Sequence, residues 1–207
     1  SGRYFLIIDY KSGNAYINLT EVYYGLRLQL LTYLLAVQNG AQDLKLAADT
    51  IPAGILYCFL KSTLLTFDRQ VSDEQIKTEL IKRMRMPGWV LMDPDVIKKI
   101  DDSASFIKVR FNRDGSISKI SRSTVKSTDE FNALLEYMDK LLVDTGNRIL
   151  SGENSVTPYK LKQNVACTFC PYMALCRFDI TVPGYHYNEL PDLDDDTIMR
   201  HITNKTH

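Results

Sequence analysis

The sequence predicts an α/β protein: a mixed β-sheet flanked by helices, followed by an irregular cysteine-rich appendage. Strand-like and helix-like stretches alternate in the order strand, helix, strand, helix, hairpin, helix, a pattern that layers helices on a mixed sheet. One of the helical stretches carries its own N-terminal serine cap, Ser72. After residue 152 this periodicity ends, and three of the four cysteines fall within residues 167–176. The expected organisation is a core over 1–152 and a cysteine-rich appendage with a tail over 153–207.

Taken in order, "YFLIIDYK" (4–11) is rich in aromatic and β-branched residues and reads as a strand, apolar on both faces until Asp9 and Lys11. "SGNAYIN" reads as a turn and short edge. Residues 19–41 read as one long helix, with Thr20 as N-cap, an apolar stripe through Leu26, Leu30, Tyr33, Leu34 and Val37, and a stop at Asn39-Gly40. "IPAGILYCFLK" (51–61) reads as a buried strand. Ser72 caps a helix over 72–86 whose acidic start and basic end suit the helix dipole. "PDVIKKIDD" supports a short helix. "SFIKVRFNRDGSISK" reads as a hairpin turning at Asp114-Gly115. Residues 127–152 form a long amphipathic helix ending at Ser151-Gly152. The closing stretch "NELPDLDDDTIMRHITNKTH" reads as a weak helix or a tail.

Bulk properties narrow the functional classes. With 207 residues, 45% of them hydrophobic, the chain can bury the core of one ordinary domain. Basic and acidic residues balance at 25 each, so any nucleic-acid surface must be a local patch. No apolar run reaches the length of a membrane span, and no membrane partner is expected. The start lacks the features of a signal peptide. Four cysteines are too few for a disulfide scaffold, so a reducing, cytoplasmic setting is expected. A strand-like run so close to residue 1 suggests a piece of a longer protein.

Asp9 and Lys11 are two apart and share one strand face. Burying either charge alone is costly, so the pair reads as a solvated strand end or as a site. Gln29 and Tyr33 are four apart and share one helix face. Each is a polar head among apolar neighbours, and the pair reads as a half-buried tyrosine with a surface glutamine or as a helix that lays both across the mouth of an Asp9/Lys11 site.

These residues carry a family resemblance. In chain order, "DYKSG", "LTEVYYGLRLQLLTYL", "PAGILY", "PYKLKQ" and "CTFCPYMALC" are similar to the C-terminal nuclease region of the B subunit (AddB/RexB type) of bacterial ATP-dependent helicase–nucleases. These are RecB-like members of the PD-(D/E)xK superfamily. The resemblance implies a restriction-endonuclease-like core and a deoxyribonuclease that processes DNA ends for recombinational repair. It further implies single strands of unwound DNA as substrate and, as heterodimer partner, the larger helicase subunit (the A subunit). The cofactors implied are Mg²⁺ and a [4Fe–4S] cluster. By the same resemblance Asp9 and the Tyr10 carbonyl hold Mg²⁺, a hard cation that prefers oxygen ligands. Lys11 then orients or helps activate the attacking water, or offsets phosphate charge, while Gln29 and Tyr33 position Lys11 and the DNA backbone. The family pattern also contains a second acidic ligand on a preceding strand. The chain alone is therefore expected to bind metal weakly and to cut DNA poorly or not at all.

Cys167, Cys170 and Cys176 follow a C-x-x-C-x5-C spacing, with Pro171 discouraging a helix through the first pair. From the residues alone, reduced thiols, a zinc site and an iron–sulfur cluster all stand open. Zinc favours paired knuckles or Cys/His sets, and a [4Fe–4S] cluster favours four cysteines. The resemblance points to the cluster, with its fourth cysteine upstream of the nuclease motifs. Within the chain, Cys58, His186, His201 and His207 are the other candidates for a fourth ligand, and each is ordinary in a bland role as well.

Two rival readings remain at this level: a free-standing RecB-like nuclease with its own cysteine cluster, and a non-catalytic DNA- or protein-binding module with zinc. Intact Asp9, Lys11 and Gln29 argue against the second. Basic clusters at Lys82, Arg83 and Arg85, at Lys119, Arg122 and Lys126, and at Lys160 and Lys162 read as solvated faces or as guides for single-stranded DNA. Trp89 reads as core.

Overall fold

In a computed structural model of the chain, residues 3–205 are described, apart from 42, 48, 61–64 and 69. His207 and the last residue of the strand expected over 51–61 lie outside the described residues. Strand β1 (Arg3–Lys11) carries the apolar run and pairs in parallel with β2 (Thr50–Phe59), placing Asp9 opposite Tyr57 and Lys11 opposite Phe59. Parallel strands need a crossover. Helices α1 (Leu19–Tyr23) and α2 (Gln29–Asn39) supply it.

The single helix expected over 19–41 is thus two helices. Asn18, not Thr20, caps α1 by accepting a 3.0 Å hydrogen bond from the Glu21 N–H. Gly25 takes φ +78, the left-handed conformation that ends helices. The break lets α2 begin at Gln29, so Gln29 and Tyr33 stand at its N-terminal end.

Helix α3 (Asp73–Arg83) begins at a Ser72–Gln75 capping box, as its start signal predicts. Strand β3 (Gly88–Leu91) runs antiparallel to β2. Their approach is so close that a Cβ at Gly88 would sit 2.0 Å from the Ile55 carbonyl oxygen. Only glycine fits there. Helix α4 (Pro94–Ile100) is capped by Asp93 and opened by a proline. The hairpin expected after it shrinks to one antiparallel bridge, Phe111 with Ile117, around a turn with Gly115 at φ +83. Strand β4 (Val125–Lys126) completes a four-stranded sheet in the order β1-β2-β3-β4.

Helix α5 (Thr128–Leu150) starts at a Ser127–Glu130 capping box. With α2 it covers one sheet face, where Leu30, Leu31, Leu34, Phe131, Leu134 and Met138 meet Ile55, Tyr57 and Trp89. A smaller cluster of Leu56, Val90, Ile97, Ile107, Val109 and Val125 fills the other face.

Strands β5 (Tyr159–Leu161), β6 (Asn164–Val165) and β7 (Asn188–Glu189) form a separate small sheet. Helix α6 (Met173–Cys176) lies between β6 and β7. The closing stretch, expected as a weak helix or a tail, folds into α7 (Asp195–Lys205), and its Ile198 and Ile202 are fully buried in the main core. That core therefore draws residues from both sides of position 152. Among the described residues no helix is long and apolar enough to cross a membrane.

Candidate active site at the end of the first strand

Strand alternation brings Asp9 and Lys11 to the same face of β1, and their side chains form an ion pair of 2.8 Å. The Lys11 ammonium donates a 2.6 Å hydrogen bond to Gln29 Oε1. Gln29 Nε2 in turn donates 2.8 Å to the Tyr33 hydroxyl. Four residues predicted from sequence, on a strand and a helix, thus stand in one line: Asp9, Lys11, Gln29, Tyr33.

The two ends of this line differ. Tyr33 is 43% exposed. Asp9 Oδ2 is buried, and although Lys11 Nζ lies at ion-pair distance, the atom accepts no aligned hydrogen bond. The ammonium's aligned bond goes to Gln29 instead. A buried carboxylate oxygen with an unused lone pair is a poor arrangement for stability. It is a good one for a ligand that accepts electron pairs.

The Tyr10 side chain is 61% exposed. Its carbonyl direction follows from the pairing. Lys11 O accepts from Leu60 N, on the β2 side. Carbonyls of successive strand residues point to opposite sides, so the Tyr10 carbonyl points off the other edge of β1. No described strand pairs along that edge.

Tyr57 belongs to this neighbourhood, and the sequence did not reveal it. Its ring is buried, and Lys11 Nζ lies 5.5 Å from the ring centroid. Burial raises the phenol pKa above its ordinary value, with Lys11 opposing and Asp9 adding to the shift. The close Asp9 carboxylate raises the Lys11 ammonium pKa, and burial partly offsets it. Lys11 is therefore a cation at neutral pH.

The family model for the PD-(D/E)XK nuclease superfamily matches residues 1–177. The chain belongs to this superfamily. The match contains β1, α2 and every predicted site residue. Among curated relatives, the ATP-dependent helicase/deoxyribonuclease B subunit of Clostridioides difficile (strain 630) is 37% identical over 206 residues. The protein of the same name from Clostridium kluyveri (strain NBRC 12016) is 36% identical over 206 residues, and that of Bacillus mycoides (strain KBAB4) 36% over 208. These alignments cover 96–98% of this chain but 18% of each relative. PD-(D/E)XK nucleases generally use a divalent metal such as Mg²⁺. The buried Asp9 Oδ2, which accepts no aligned hydrogen bond, and the free-edge Tyr10 carbonyl fit such an ion, because both are hard oxygen donors.

The cysteines are arranged differently. Cys167 and Cys170 flank a tight turn, with Cys170 N donating to Cys167 O at 3.3 Å, and Cys176 ends α6. All four cysteines are free thiols, and Cys58 stands on β2 opposite Tyr10. Among the described residues no group of three or more His, Cys, Asp or Glu converges as a metal site. His201 instead contacts the Tyr23 hydroxyl at 3.5 Å.

The basic clusters are largely engaged. Lys82 and Arg83 pair with Glu79, Arg122 with Glu130, Lys160 with Glu189, and Lys162 with Asp192. Lys126 is buried, its ammonium 5.2 Å from the Trp89 ring, and it cannot face a DNA strand.

Proposed function

We propose that this chain is the metal-dependent exonuclease domain of a helicase–nuclease of this type, on its B subunit, acting on single strands of unwound duplex ends in double-strand-break repair. The observation that carries this reading is the buried Asp9 Oδ2, ion-paired with a lysine that Gln29 holds. The similarity to helicase/deoxyribonuclease B subunits supports it. The partner proposed is the larger helicase subunit, in a cytoplasmic setting.

In this reading Asp9 and the Tyr10 carbonyl hold Mg²⁺, which when bound supplies an activated water and charge stabilisation at the phosphate. Lys11 stays protonated and presents its charge to a phosphate oxygen or to the water. Gln29 fixes the direction of the ammonium, and Tyr33 fixes Gln29 while offering a hydroxyl to the DNA backbone. Asp9 is the single carboxylate of this line, so the chain by itself is expected to hold metal weakly and to cut slowly. We assign Cys167, Cys170 and Cys176 to a [4Fe–4S] cluster whose fourth ligand comes from outside this set. The C-x-x-C-x5-C spacing supports that assignment, while among the described residues the three side chains do not converge.

Cleavage of a 5′-labelled single-stranded oligonucleotide in Mg²⁺ tests the proposal. In excess Mg²⁺ and over a long incubation, wild type is expected to shorten the strand slowly, while Asp9→Ala and Lys11→Ala leave it intact. Equal cleavage by wild type and Asp9→Ala would overturn it.

A further inference from the structure

A cavity of about 400 Å³ opens between the α1–α2 turn and the β5–β6 hairpin, outside the line from Asp9 to Tyr33. Its floor is a built charged group. Glu21, 9% exposed, accepts a 2.8 Å hydrogen bond from the Tyr16 hydroxyl and a second bond from Arg27 Nε. The Arg27 guanidinium carbon lies 3.7 Å from the Tyr16 ring centroid, stacked on its face. Glu21 and Tyr16 therefore hold the Nε edge and one face of the guanidinium. Among the described residues no carboxylate or carbonyl is hydrogen-bonded to its terminal amino groups. A guanidinium fixed in this way presents a preorganised fork to an anion.

The opposite wall comes from the hairpin. Gln163 and Asn164 contribute amides that can donate and accept. Phe169 stands at the rim with its ring 94% exposed. An aromatic side chain left this open offers a face for stacking.

The cavity also adjoins the Asp9–Lys11 site. Arg27 lines the cavity and precedes Gln29 by two residues, and Gln29 is the residue that accepts the Lys11 hydrogen bond.

We propose that this cavity receives the nucleotide next to the cleaved phosphodiester of single-stranded DNA. Arg27 grips its phosphate, its base stacks on Phe169, and the Gln163 and Asn164 amides meet the polar edge of the base. Amides serve any base, so the pocket recognises a single strand without reading its sequence. The volume suits one unpaired nucleotide and falls within the usual range for small-ligand sites, about 300–1,000 Å³. This inference rests on the nuclease reading and extends it to the substrate's neighbouring residue.

Fluorescence anisotropy with 5′-fluorescein-dT12 in EDTA, where no strand is cut, tests it. Phe169→Ala removes an exposed ring and leaves the fold alone; it is expected to weaken binding about tenfold. Arg27→Lys keeps a cation beside Glu21 but loses the fork, and is expected to weaken binding several-fold. A scan with single abasic positions adds a specific signature. One position should weaken wild type by the same factor as Phe169→Ala and leave that variant unchanged. If Phe169→Ala and Arg27→Lys bind dT12 as tightly as wild type while Asp9→Ala abolishes cleavage, the pocket assignment is overturned and the nuclease reading stands. If Asp9→Ala cleaves like wild type, both fall.

Discussion

Gln29 Oε1 accepts a 2.6 Å hydrogen bond from Lys11 Nζ across 18 residues of chain. The bond ties the first turn of a helix to the end of a strand, and it orients the ammonium that pairs with Asp9. Gln29→Ala is expected to lower DNA cleavage by roughly 10- to 100-fold, as for other residues that orient a metal site's neighbours. Gln29 is exposed, so the melting temperature should not change. A cleavage time course beside a thermal melt checks both.

Asp101 is a structural carboxylate, 6% exposed. It accepts hydrogen bonds from the Phe106 and Ile107 N–H groups and the Ser103 hydroxyl. Burial pushes its pKa up, but the bonds from Ile107, Ser103 and Phe106 outweigh burial and hold it below the ordinary carboxylate value. Its stabilising contribution is then complete above the unfolded-state pKa of about 4 and is lost as pH falls through the lower folded value. Asp101→Ala is expected to cost about 2–3 kcal/mol at neutral pH and to flatten the acid limb of the stability curve. Urea denaturation between pH 2 and pH 7 measures it.

Lys126 is a buried cation over Trp89. Burial lowers its pKa, only partly countered by Glu130 and Asp195. A lysine depressed in the fold binds fewer protons there than in the unfolded chain. Stability therefore rises with pH between the folded value and about 10.4. Buried tyrosines oppose this above about pH 10, among them Tyr137, whose phenol burial pushes up to about 12. Lys126→Met is expected to gain about 1 kcal/mol at pH 7 and to lose the alkaline rise. Denaturation at pH 7 to 10 decides it.

Helix α7 anchors the C-terminal end. Ile198 and Ile202 are one turn apart and both fully buried. Either isoleucine changed to alanine is expected to cost about 2–5 kcal/mol, the range for such core truncations. Asp9 chemistry lies elsewhere, so at a temperature where the variant remains folded, Mn²⁺ binding should be unaffected. A melt beside a metal titration separates the two effects.

Much of this was legible in the sequence where local rules decide. Ser72 marks a helix start because a serine followed three residues later by Gln75 builds a capping box; the structure adds a second box at Ser127 and Glu130. The period of two puts Asp9 beside Lys11, and the period near four puts Gln29 beside Tyr33. Tyr57 was not legible, because its part in the site comes from the register that sets it opposite Asp9. The helix break was hidden because a lone glycine such as Gly25 is tolerated inside a helical pattern, and the apolar stripe resumes directly after it at Leu26. Strands β3 and β4 are too short to show a period. The acidic run before Ile198 masked the two core isoleucines of α7.

The most direct measurement is Mn²⁺ binding, read from the loss of the free-ion paramagnetic resonance signal, for wild type and Asp9→Asn. Wild type is expected to take up the ion, and Asp9→Asn to lose that uptake at an unchanged melting temperature. Equal uptake by both proteins would mean that Asp9 Oδ2 is not a metal ligand. The assignment of Asp9, Lys11, Gln29 and Tyr33 as a metal-dependent nuclease site would then be contradicted.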